Sequence, residues 1–349
     1  MYYLKNLKPV IFAAGVLLVT VAAAAVVSAQ EEATVADQLA EALNFYADLE
    51  FDKGISLARE LLDRDNLTAK DSIAIFETLS IITYAKGEDY LRQSVEYLEK
   101  ISKIGPCVTH LPQEIWPKEL RDNWYKLLKD MNKLACEQTG PTEITTIAIM
   151  EFDNHSIGEY QEKLGHLAKG LADFFEHDFG KISTLRVVER DKIDFILKEI
   201  ELQQSGAVDV ATAVKVGKIL GAQLMVFGSI TQLDDKNTRM VVRAVKVETS
   251  EIVASVDKEG KPNYSKMEKE LVKELAGILD IQLSDEIGKM IEQGGTGSLD
   301  ATTLYSMGLE YMDRYDYKNA YEHFKKAYEL DNEFVEAKRK MEIYRPLVG

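Results

Sequence analysis

The hydrophobic period of this chain changes twice, and those changes limit what it can fold into more than any other feature. Over residues 36–136 apolar side chains recur at helical spacing: Leu39, Ala42, Leu43 and Tyr46, then Ile55, Ala58, Leu61 and Leu62, with similar faces over 73–84, 91–104 and 120–134. Breaks at 50–52, 65–68, 87–89 and 105–117 divide the stretch into five helices. At Gly140-Pro141 the texture switches to alternating strands and helices. Residues 144–152 and 185–189 read as strands and 164–179, 191–203 and 209–220 as helices. Residues 223–233, 239–247 and 251–256 read as an antiparallel meander, because only the short turns 234–237 and 249–250 separate them. One long helix over 265–291 closes this unit, and Gly294-Gly295-Thr296-Gly297-Ser298 reads as a flexible linker before helical spacing resumes. The expected class is multidomain α+β. It comprises an all-α region over 30–140, a mixed-sheet α/β domain over 141–292, a linker over 293–300, and a helical hairpin with a cap helix over 301–349.

The amino terminus reads as a targeting segment. Residues 1–8 carry Lys5 and Lys8 and no acid, 10–27 are uncharged and largely apolar, and Val27-Ser28-Ala29 supplies small residues. The expectation is a secretory signal over 1–29, cut between Ala29 and Gln30, after which no membrane span remains. The alternative is a retained inner-membrane anchor, since the apolar stretch approaches the ~20 residues that cross a bilayer. Neither cysteine lies near this junction, so a lipid anchor on an amino-terminal Cys is excluded. Export places Cys107 and Cys136 in an oxidising compartment, where they either pair or stay as two buried thiols; spacing alone decides neither.

Charge and motifs remove several function classes. The chain has 42 Lys+Arg against 58 Asp+Glu, a formal net charge of -16, which argues against nucleic acid as a partner because counterion release needs clustered cations. A phosphate loop would need a hydroxyl after Gly-Lys, but Gly217-Lys218 is followed by Ile219 and Gly180-Lys181 by Ile182. His166 and His177 are eleven residues apart and lack a third ligand; His110, His155 and His323 lie in separate segments. With only two cysteines, zinc and thiol-redox chemistry are not expected. No catalytic, cofactor or metal residue emerges. Asp191 reads as a helix cap with a local ion pair in Glu189-Arg190-Asp191, and Asp153-Asn154 as a turn after the first strand.

Two resemblances add to this reading. Leu304, Met307, Gly308 and Tyr311, followed by Ala320, Phe324 and Ala327, reproduce the spacing of one tetratricopeptide repeat, with departures at Leu304 and at Asn332, where proline is usual. Ala42, Phe45, Gly54, Ala58 and Leu61 match the same pattern in part. In the middle region, Ile147-Ala-Ile-Met-Glu-Phe-Asp-Asn154, Lys169-Gly-Leu-Ala-Asp173, Arg186-Val-Val-Glu-Arg190, Gln203-Gln-Ser-Gly206 and Phe227-Gly-Ser-Ile230 resemble the curli-secretion CsgG family, and Val245-Lys-Val-Glu-Thr-Ser-Glu-Ile-Val-Ala254 extends the match.

That resemblance implies the fold shared with the amino-terminal domain of TolB and with lipoprotein activators of peptidoglycan synthases. It also implies a place in the Gram-negative envelope and work done by binding proteins. The curli channel of that family carries two long membrane hairpins, whereas the corresponding joints here, 234–238 and 257–264, fall short of the roughly 9–11 residues each crossing strand needs. The expectation is therefore a non-enzymatic periplasmic adaptor without cofactors, assembling with envelope or secreted proteins or with itself, with Asp153, Asn154, Glu189 and Arg190 as interface loops. Its rivals are a subunit of an outer-membrane-associated, CsgG-like secretion pore, and a periplasmic receptor or enzyme whose site carries no recognisable motif.

Overall fold

Helix formation begins with a reciprocal cap: the Thr34 hydroxyl accepts from the Asp37 N–H while the Asp37 carboxylate accepts from the Thr34 N–H, both at 3.2 Å. The computed structural model describes residues 34–107, 115–135, 145–199 and 209–348. The expected signal, His110, Cys136 and the Gly140-Pro141 junction fall outside that set, so the Cys107–Cys136 pairing does as well. From the first cap run α1 (Val35–Ala47) and α2 (Phe51–Leu61), then α3 (Ala69–Tyr84), α4 (Leu91–Ile104) and α5 (Lys118–Asp130). Thr68 and Asp71 repeat the same cap at α3. The five helices expected from periodicity are all present, with the first break at 48–50 rather than 50–52. Their apolar stripes meet in one core around Ala42, Ala58, Ile75, Leu79, Ile82, Leu98, Ile101, Leu120 and Trp124.

The middle unit is a six-stranded mixed sheet. Its elements are β1 (Thr145–Ile149), β2 (Asp153–Asn154), α6 (Glu159–Lys163), α7 (Leu167–Gly180), β3 (Leu185–Val188), α8 (Arg190–Glu199), α9 (Val210–Leu220), β4 (Leu224–Asp234), β5 (Asn237–Lys246), β6 (Glu251–Gly260), α10 (Tyr264–Ile278) and α11 (Asp285–Glu292). Strand order is β3-β1-β4-β5-β6, with the two residues of β2 pairing the far half of β4. The pairs reached through helices are parallel and the two hairpins are antiparallel, as connection lengths demand. Alternation assigns the faces: Ile147, Ile149, Val226, Ile230 and Val242 look toward α7 and α10, while Ala148, Met150, Met225, Phe227 and Val245 look toward α8 and α9.

One expected element divides. The long helix over 265–291 stops at Ile278, Asp280 adopts a left-handed φ of 55°, and Ser284 caps a second helix by accepting from the Ile287 N–H. A side-chain acceptor followed by Asp285 and Glu286 favours a fresh amino terminus over continued winding.

The carboxy-terminal region comprises α12 (Leu299–Asp313), α13 (Tyr317–Leu330), α14 (Val335–Tyr344) and a final 3₁₀ turn (Arg345–Leu347). It shares the core of the sheet. Phe174 of α7 stacks on Tyr305 with ring centroids 5.4 Å apart, and Tyr305 lies 5.4 Å from Phe324 and 5.0 Å from Phe334. The segment expected to be slack is accordingly a fitted strap. Gly294 and Gly295 take φ of 84° and 71°, the Gly295 N–H donates to Glu336 at 2.9 Å, and a Cβ on Gly295 would collide with the Ser265 hydroxyl. Thr296 is buried and donates to Asp331 at 2.5 Å, and Ser298 caps α12.

Both helical regions also touch each other. The Glu119 N–H donates to the Tyr317 hydroxyl at 3.0 Å, the Tyr84 and Tyr317 rings meet edge-on with centroids 6.3 Å apart, and Arg345 donates to the Ala47 carbonyl at 2.7 Å.

Of the residues that carried the repeat spacing, Gly308, Ala320, Phe324 and Ala327 are buried, and Leu304, Met307 and Tyr311 are half-buried. Gly308 faces the Phe324 ring so closely that a Cβ would sit 2.5 Å from Cε1, whereas Gly288 in α11 has open space around it. Replacing Gly by Ala in a helix normally adds up to ~1 kcal/mol. Gly288→Ala is expected to show that gain in urea unfolding, while Gly308→Ala is expected to lose about 1–3 kcal/mol by overpacking. A gain at both positions would contradict the close crossing of α12 and α13.

Candidate functional site

Arg190 opens α8 directly after edge strand β3, so the turn from sheet into helix delivers a guanidinium to the interior. Only 1% of it is exposed. Its Nη1 donates to Asp194 Oδ2, one helical turn on, at 3.1 Å; its Nη2 donates to Asp191 Oδ1 at 3.2 Å and to Asp313 Oδ1, at the end of α12, at 3.1 Å. The Arg190 N–H donates to Glu176 of α7 at 3.1 Å. Arg121 of α5 is fully buried, ion-pairs with Asp191 and lies 3.8 Å from Glu189, which accepts from the Tyr125 hydroxyl at 2.7 Å. Lys169 of α7 pairs with Asp313, and with Glu151 at 3.1 Å. The first helical region, the sheet unit and the carboxy-terminal hairpin thus all contribute charges to one water-poor junction.

Asp191, Asp194 and Asp313 approach closely enough to hold a cation, and the Arg190 guanidinium occupies that role. Burial would lift the Asp313 carboxyl, but Arg190 and Lys169 hold it below the ordinary carboxylate range. At Asp194 burial prevails over Arg190, with Glu151 and Asp313 adding to the rise, and the carboxyl is pushed up to about 7. Glu176 is raised to about 8 by burial and by Asp173. Such a site holds charge and protons in place.

A second buried cluster fastens the strap. Lys269 of α10 donates to Asp178 at 3.2 Å and to the Ile291 carbonyl at 2.7 Å, while Lys181 donates to Asp178 at 2.6 Å. Glu268 beside them is 1% exposed, and burial together with Asp178 pushes its carboxyl well above the usual range. His177 is lowered to about 3 by burial and by Arg339, so it is neutral at ordinary pH. The space between these side chains and Phe174 is too tight for a ligand. An open groove of about 430 Å³ runs along the outer face of α4, lined by Leu91, Arg92, Val95, Glu96, Glu99 and Asn123 of α5.

The residues expected at interface loops separate into two places. Asp153 and Asn154 form β2, half-buried, where Asn154 Oδ1 accepts from the Ser156 N–H at 3.0 Å and its Nδ2 donates to the Gln161 carbonyl at 3.0 Å. Glu189 and Arg190 belong to the junction instead, and Arg190 faces inward, so it meets other parts of its own chain where an external partner was expected. Asp191 is engaged by Arg121 and Arg190 rather than acting as a simple cap. His166 and His177 each meet a separate carboxylate, Glu310 at 2.5 Å and Glu336 at 3.8 Å. The sequence reading missed Arg121, Lys169, Asp194 and Asp313. A signal existed: Arg121 continues the apolar stripe of Trp124 and Leu128, and Asp313 continues that of Tyr305 and Leu309.

Removing one partner of a buried charge set strands the others. Arg190→Ala is expected to cost about 3–5 kcal/mol in urea unfolding. Arg239→Ala, which breaks a pair with Asp257 whose side chains are 54% and 47% exposed, is expected to cost less than ~1 kcal/mol. Equal losses would contradict the central role of Arg190.

Among curated proteins none matches this chain. Among solved structures it is similar to the LpoB carboxy-terminal domain from Escherichia coli, at 14% identity and a TM-score of 0.28 over 39% of this chain and 94% of that one. It is also similar to the lipoprotein GNA1162 from Neisseria meningitidis, at 13% identity and a TM-score of 0.27 over 40% and 99%. Residues 128–242, about one third of the chain from the end of α5 into β5, match the family model described as curli production assembly/transport component CsgG. What this chain shares with the CsgG family is therefore its middle unit, a CsgG-like domain set between two helical regions.

Proposed function

We propose that this protein is a non-enzymatic adaptor of the Gram-negative cell envelope, exported to the periplasm, which assembles with other envelope or secreted proteins or with copies of itself. The match of residues 128–242 to a curli assembly and transport component carries this reading. The geometry supports an aqueous role for the sheet. Asp234 closes the β4–β5 turn by accepting from the Lys236 and Asn237 N–H groups at 2.8 and 2.9 Å, and Asn263 caps α10 three residues after β6 ends. A lipid-crossing strand needs roughly 9–11 residues, so neither joint has room for a membrane hairpin. Among the described residues no helix is long and apolar enough to cross a membrane. The helical regions on either side supply exposed faces for partners, including the α4 groove.

Chemical crosslinking in the intact envelope, followed by identification of the captured chains, is expected to trap one or a few envelope proteins or a multimer of this chain. The purified protein is expected to leave nucleotides and glycosidic substrates unchanged. Hydrolysis abolished by a single carboxylate substitution would overturn the adaptor reading. Detergent-dependent extraction with conductance in planar bilayers would favour a pore subunit in its place.

A further inference from the structure

The sheet has two outer edges of unlike character. β3 is four residues long, half-buried throughout and packed against α7. β6 has ten residues, of which only Ala254 and Val256, both turned toward α10, are buried. Its register with β5 shifts once, near Val245, so residues 254–260 form a regular outer strand. Alternate residues of an antiparallel strand turn both N–H and C=O away from the neighbour they pair with. Among the described residues, nothing outside β5 hydrogen-bonds to the backbone of β6. Edge strands are ordinarily protected by brevity, proline, a covering element or an outward lysine. β6 is long and has no proline, and its one lysine, Lys258, is drawn onto α10 by Glu274 at 2.8 Å.

The side chains along this edge say what could lie on it. A strand laid beside β6 would meet Asp257 and Glu259, both exposed, on the face away from α10, and Glu274 and Glu270 around Lys258 on the other. At the start of β6, Glu251 precedes Ile252 and Val253, which are 50% and 38% exposed. The counter-charges are set back from this rim: Arg239 of β5 is bonded to Asp257 at 3.2 Å, Arg243 of β5 stands behind Ser255, and Lys261 follows the end of the strand. A second copy of β6 would set Asp257 and Glu259 against each other if parallel, or against Ser255, Val253 or Glu251 if antiparallel; neither arrangement puts a cation opposite them. We propose that β6 is a docking strand, which takes up an extended segment of another protein as a further strand of the sheet, with Lys or Arg at alternate positions opposite Asp257 and Glu259 and an aliphatic residue against Ile252 and Val253. Main-chain hydrogen bonds hold such a segment, and the charges select it.

The test is binding of a short fluorescent peptide that alternates lysine and valine to the full chain, followed by anisotropy and by backbone hydrogen exchange. Binding is expected to raise protection along 254–260 and to leave β3 unchanged. A peptide of the same composition with its lysines in one block is expected to bind at least about fivefold more weakly, and the chain carrying Asp257→Lys with Glu259→Lys is expected to lose at least as much. Should that double variant fail to fold, Glu259→Lys alone, at an exposed position, decides in its place. No binding, equal binding of the two peptides, or protection confined to another element would overturn the proposal. It rests on the adaptor reading, yet the two fail separately. If envelope crosslinking captures the same chains with and without Glu259→Lys, the adaptor reading stands and β6 is overturned as its surface. Hydrolysis or conductance would remove the adaptor reading and leave the peptide result as it is.

Discussion

A guanidinium with 1% of its surface exposed has to be neutralised from within the fold, and Arg190 is neutralised by carboxylates from two different parts of the chain. Asp191 and Asp194 come from its own helix, and Asp313 arrives from more than a hundred residues away. Asp191 in turn is shared with Arg121 of the first helical region. None of the three regions can leave without stranding a charge in a space that water scarcely reaches. The apolar contacts around Phe174, Tyr305 and Phe334 supply most of the burial, but they tolerate sliding in a way that directional ion pairs do not.

The stretch that resembles CsgG and the unit defined by packing have different borders. The family match ends at residue 242 inside β5, yet the sheet continues through β6 and its apolar core continues without interruption to Tyr344. The carboxy-terminal hairpin behaves physically as a further layer on that sheet, with α7 sandwiched between strands and α12.

Local features were legible in the sequence because local chemistry determines them. Thr68 with Asp71 marks a helix start, apolar spacing marks the five helices, and alternation over 239–247 marks a strand with one face on α10. Long-range features were not. Nothing within ten residues of Gly294 shows that Glu336 and Ser265 will close over the strap, so a run of glycine read as slack. Arg190 read as half of a local pair because its most distant partner, Asp313, is invisible to any window. The break at 279–284 was present in the residues, as Ser284 before two acids, but an apolar period that resumes beyond it concealed the change of direction.

The bond from Arg345 to the Ala47 carbonyl spans 298 positions of sequence. Together with the tyrosine contacts beside it, it closes the chain into a ring in which the last turn rests on the first helix. Such closure raises contact order, and loop entropy must be spent before those contacts form, so assembly of the whole is slower than the helical content alone would imply. It also means that the amino-terminal helices reach these surroundings only after the stretch around Arg345 has been synthesised.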